Sequence, residues 1–73
     1  MKMNGEINER ARAAQETALH DLRMLQETIG RAIENVKQGN VQHVSASGIV
    51  RMAGQAAVAV TEAKMLTEVS VEG

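Results

Sequence analysis

Two hydroxyls, a glycine, an imidazole and a guanidinium crowd into one short segment, His43-Val44-Ser45-Ala46-Ser47-Gly48-Ile49-Val50-Arg51. If a helix begins inside it, the first N–H groups are free and the positive end of the helix dipole faces outward. That combination suits phosphate or carboxylate. His43, Ser45, Ser47, Gly48 and Arg51 are then the candidate anion-binding residues, and chain symmetry could repeat them. Ordinary capping by Ser45 or Ser47, with Arg51 in solvent or in an ion pair, explains the same residues without a ligand. The segment has neither a P-loop lysine nor a Gly-x-Gly-x-x-Gly pattern. Ser45, Ser47 and His43 also lie too close together on one cap to make a nucleophile–base pair. The expectation is a non-enzyme without a cofactor.

Two weaker constellations lie upstream. His20 stands one turn from Glu16 and beside Arg23. A Glu-x-x-x-His pair can contribute to a metal centre, but carboxylate-bridged metal bundles gather several such groups on their interior. This pair falls on a polar exterior face, so no metal site is expected. The same face carries Arg12, Glu16, His20, Arg23, Glu27 and Arg31. Short plasmid-encoded helical hairpins bind paired RNA loops across such a face of a dimer, an analogy of fold alone. Here the interleaved glutamates would repel phosphates, which disfavours nucleic acid or nucleotide there. Met24 and Leu19, with Thr17, Thr28 and Asn35, could instead form a docking strip for a larger protein.

Two helices must position these residues. With residues placed 100° apart, Ile7, Ala11, Ala14, Ala18, Leu22, Leu25, Ala32, Ile33 and Val36 all fall within about 60° of Ile29. The spacing predicts an amphipathic helix from about Asn4, a plausible N-cap, to Lys37. Gln38-Gly39-Asn40 breaks it, with Gly39 suited to the left-handed residue that ends a helix. A second helix then runs over about residues 45–69, followed by a frayed tail. One of its faces comprises Ile49, Met52, Ala53, Ala56, Ala59, Val60 and Ala63 and should pack on the first helix. A second apolar face comprises Val50, Gly54, Ala57, Val58 and Met65. Arg51, Gln55 and Glu62 form a narrow polar strip between them. The fold class is therefore all-α, a two-helix antiparallel hairpin forming a single domain.

Composition says how such a hairpin can be stable. The chain has 73 residues and is 44% hydrophobic, yet it contains no Phe, Trp, Tyr or Cys. Eleven of its residues are alanine, and leucine and isoleucine together number eight. Alanine favours helix but buries little area. A small domain without disulfides or a structural metal is expected to oligomerise. The expected homo-oligomer interface comprises Ile7, Ala11, Val50, Gly54, Ala57, Val58 and Met65. Ile7 and Ala11 enter because a second helix ending near Val69 would fail to cover them. Net charge is −1, with both signs mixed along the chain, so no basic block attracts nucleic acid or lipid. Without a signal-type apolar core or a long apolar run, a soluble cytoplasmic protein is expected, not a membrane protein. The functional expectation is a small accessory protein, of the kind phages and plasmids carry. It would act by protein–protein contact as an adaptor, an assembly module or an inhibitor of a larger machine. The alternative is a nucleotide- or RNA-phosphate-binding oligomer.

Overall fold

The computed structural model describes the backbone of residues 2–72 and the side-chain environment of residues 8–69. Helix α1 runs from Lys2 to Lys37, and helix α2 from Ala46 to Glu72. A single 3-10 turn, Val41–His43, lies between them. The two helices pack side by side as an antiparallel rod with Cα extents of 57 × 14 × 13 Å. Asn4, expected to cap α1, lies inside the helix, which starts at Lys2. The tail expected to fray beyond Val69 continues α2 to Glu72.

The connection follows from its residues. Gly39 has a φ of +80°, a left-handed conformation that costs glycine little. It lets Gly39 N–H donate to Val36 O at 3.1 Å and Asn40 N–H to Asn35 O at 2.7 Å. This bond pair closes the helix by satisfying two of its last carbonyls. The chain re-enters a helix at Ser45, whose Oγ accepts from Gly48 N–H at 3.0 Å. Ser45 O accepts the first helical bond, from Ile49 N–H at 3.1 Å. Ser45 is thus the N-cap. Val44 is half-buried against the hairpin end, while Val41 is exposed.

The seam between the helices is built from small residues at seven-residue spacing. On α1 the buried or half-buried positions are Ala11, Ala18, Leu25 and Ala32, with Ala14, Asp21, Thr28 and Asn35 beside them. On α2 they are Ile49, Ala56 and Ala63, alternating with Met52, Ala59 and Leu66, with Gly48, Ala53 and Thr67 beside them. The alternation of three- and four-residue steps is that of a coiled coil. Among the described residues the buried hydrophobics are five alanines, Ala11, Ala18, Ala56, Ala59 and Ala63. The α2 face expected to meet α1 does so, except that Val60 lies at its exposed edge.

The expected docking face of α1 is partly wrong. It was centred on Ile29, yet Leu22, Ile29, Ile33 and Val36 are each 40% exposed or more. In mid-helix the seam lies about 70° round from Ile29, between Leu25 and Thr28, at 100° per residue. Alanine provides the physical reason. Small side chains on α2 make contact only when the axes come close, and isoleucine or leucine facing them would hold the axes apart. The hairpin therefore closes on its alanines and leaves the larger side chains outside.

Candidate functional site

A groove of about 400 Å³ lies at the turn end of the hairpin, on one broad face. His43, Val44, Ser45 and Gly48 form one wall, and Ile49, Arg51 and Met52 continue it along α2. Helix α1 contributes Thr28, Arg31, Ala32 and Asn35. Four of the five candidate anion residues, His43, Ser45, Gly48 and Arg51, thus converge, and Arg31 joins them. Ser47 does not line the groove. Its Oγ lies 3.4 Å from that of Ser45, close to the limit for a hydrogen bond. His43, Arg31 and Arg51 are all exposed.

The chemistry of this groove is limited by the cap. An anion at a helix N-terminus takes N–H groups that lack intrahelical partners. Here Gly48 N–H is already donated to Ser45 Oγ. A Cβ added to Gly48 would meet Ser45 Oγ at 3.0 Å and Ser45 Cβ at 3.3 Å, so the glycine serves the close cap. What remains is a shallow site with two guanidinium groups and an imidazole open to water.

The second feature is apolar. Gln15 Nε2 donates to Thr67 Oγ1 at 3.2 Å across the helices. This bond marks the broad face opposite the groove, because Gln15 and Leu22, Ile29 and Ile33 share one side of α1. Val60 of α2 lies on the same face as Thr67, two turns away. Leu22, Leu25, Gln26, Ile29, Gly30 and Ile33 line an apolar depression there. The groove face is mixed, with Thr17, Asp21, Arg51, Gln55 and Glu62 set among Val50, Val58 and Ala59 further along the rod. Thr28 and Asn35, expected on an external docking strip, are half-buried beside the seam. The Thr28 hydroxyl donates to Met24 O at 3.0 Å, which satisfies it there.

A third surface is the outer edge of α2. Val50 is 71% exposed, Val58 68% and Met65 61%, with Gly54 and Ala57 exposed between them. This is the expected interface stripe, and it points away from α1. Ala11, placed in the same interface, is buried by its own chain at 6% exposure. The register of the Gln15–Thr67 bond puts it opposite about residue 71, which α2 reaches. Ala11 therefore needs no neighbour to cover it. The Ile7 side chain lies outside the described residues.

Among the described residues no three His, Asp or Glu side chains cluster closely enough to hold a metal ion. None of the described helices is long and apolar enough to cross a membrane. No protein-family model, curated protein or solved structure matches the chain.

Proposed function

We propose that the chain is a non-enzymatic helical hairpin that works as a homo-oligomer through protein–protein contact. Adaptor, assembly module and inhibitor of a larger machine are the roles that fit. One observation carries the reading: among the described residues the core is five alanines, while Leu22, Ile29, Ile33, Val36, Val50, Val58 and Met65 lie outside. The exposed area gives the scale. The chain exposes 5760 Å², whereas a compact globule of its mass would expose about 4,400 Å². The excess, roughly 1,400 Å², is more than the ~800 Å² that a standard interface takes from each partner. Part of it comes from the rod shape, and the apolar part is what association removes from water.

Sedimentation tests this directly. The expected result is a species heavier than 7.8 kDa at micromolar concentration, dissociating on dilution. A well-folded 7.8 kDa particle at that concentration would overturn the reading. Immobilised protein should capture a partner without added small ligands.

A second reading is favoured by one observation, the meeting of Arg31 with His43 and Arg51 in the turn-end groove. It makes the oligomer a binder of phosphate, as nucleotide or RNA. A rise in melting temperature with millimolar inorganic phosphate or nucleotide, abolished by Arg31→Ala, is its expected signature. No shift at that concentration refutes it.

A further inference from the structure

The outer stripe of α2 is complementary to its own reverse. We propose that it packs, antiparallel, against the same stripe of a second copy, with the two-fold axis between Ala57 and Val58. This pairing rests on the self-association reading above and names the surface that carries it.

Charge separates the two helices. Every five consecutive residues of α1 include a charged one, whereas the ten residues from Met52 to Thr61 of α2 include none. That stretch buries Ala56 and Ala59 in the seam and leaves Gly54, Ala57, Val58 and Thr61 exposed. A helix apolar nearly all round belongs in an interior. Gly54 points the same way. It stands inside the helix at a cost of about 1 kcal/mol relative to alanine, and a Cβ there would meet nothing within 4 Å. Its own hairpin does not call for a glycine, while a second helix laid on the stripe comes closer because of it. The Thr61 hydroxyl donates to Ala57 O at 2.8 Å, so covering it leaves no donor unpaired.

Charge also selects the occupant. Arg51 and Glu62 bound the uncharged stretch, and both are exposed. Eleven residues is just over three turns, so the two lie on one flank of the stripe, about 20° apart. An antiparallel two-fold sets each flank against the same flank of the second copy. Residues whose numbers sum to about 115 then come level: Val50 with Met65, Gly54 with Thr61, and Ala57 with Val58. Arg51 of one copy comes within about 3 Å, along the axis, of Glu62 of the other at 1.5 Å per residue. That pair is made twice. Glu68, on the stripe itself, comes level with Ser47 in the first turn of the other α2, where the helix dipole favours a carboxylate. Lys64 lies on the opposite flank from Arg51 and meets no like charge. A parallel pairing would instead set the two Glu68 carboxylates against each other. The stripe lies about half a turn from the alanine seam, so α1 does not obstruct the second hairpin.

Cysteine substitution tests the axis, since the chain has no native cysteine. A disulfide needs Cβ atoms roughly 3.5–4.5 Å apart. Ala57→Cys lies beside the axis, level with its mate to about 1.5 Å, and should form a covalent dimer under mild oxidation. Val50→Cys should not, because its mate is about 22 Å away along the helix. A mixture of Val50→Cys and Met65→Cys should link. Self-linking of Val50→Cys would show parallel packing and overturn the proposal. Linking through Ile29→Cys but not Ala57→Cys would place the contact on α1, overturning this pairing while self-association stands. A monomer in sedimentation would remove both. Two tests are free of cysteine. Gly54→Leu raises helix propensity yet should disperse the dimer, and unchanged association would refute the close contact. Arg51→Glu or Glu62→Arg alone should weaken association about threefold to tenfold, and the double exchange should restore it. Failure of the double exchange to recover affinity counts against the two-fold.

Discussion

Replacing Ala56 with leucine asks how closely the two helices approach. Ala56 is 2% exposed, the least of the five buried alanines. Leucine adds three carbons and has nearly the helix propensity of alanine, so the change is felt mainly at the seam. If the seam had room, burying those carbons at ~0.8 kcal/mol each would stabilise the hairpin by about 2 kcal/mol. If the seam is as tight as the alanine spacing implies, overpacking costs about 1–3 kcal/mol instead. The sign therefore reports the separation of the helices. For a chain of this length 1 kcal/mol corresponds to roughly 4–8 °C in melting temperature. Ala56→Leu should lower the midpoint by about 4–24 °C in far-ultraviolet circular dichroism. Ala13→Leu, on an exposed position of the same hairpin, should leave it within a few degrees. Both should be melted at matched concentrations, because association makes the midpoint concentration-dependent. A higher midpoint for Ala56→Leu would refute the close alanine seam.

Three further outcomes follow from particular residues. Gly39→Ala forces a side chain into a φ of +80° and should cost about 1–2 kcal/mol in urea unfolding; a neutral result would mean that the turn can adopt another conformation. Ser45→Ala removes the cap to Gly48 N–H and should cost about 1 kcal/mol, whereas Ser47→Ala should be nearly silent; equal losses would show that the cap is shared. Ala57→Glu sets a charge in the exposed α2 stripe; the oligomer should fall apart in sedimentation while the hairpin stays helical. Glu27→Ala, on the far side of α1, should change neither, and comparable effects from these two substitutions would show that the apolar surfaces are misassigned.

The hairpin itself was legible in the residues. Gly39 marked the end of α1, the serines marked the start of α2, and the alternation of apolar and polar residues gave both helices their period. The split of the apolar surface of α1 was not legible from periodicity, because hydrophobicity scores alanine and isoleucine as one class. Packing separates them by size, since two alanine faces gain contact only from each other. The signal was present as small residues recurring every seven positions at Ala11, Ala18 and Ala32, facing Ala56 and Ala63. The half-buried Asp21, Thr28 and Asn35 concealed that repeat, because polar residues were assigned to the outside. A threonine that returns its hydroxyl to the preceding turn can sit beside a seam at little cost. The turn-end groove was partly legible too. Sequence proximity gathered His43, Ser45, Gly48 and Arg51, but only the antiparallel register could bring Arg31 to them.

The alanine seam also sets the order of events when the chain folds. Alanine has no rotamers to freeze, so at the five buried positions zipping the two helices together costs no side-chain freedom. The loop to be closed is short, and such local closures take well under a microsecond, with helix formation of similar speed. Hairpins should therefore be complete before they meet, and the slow, concentration-dependent step should be the encounter of finished rods.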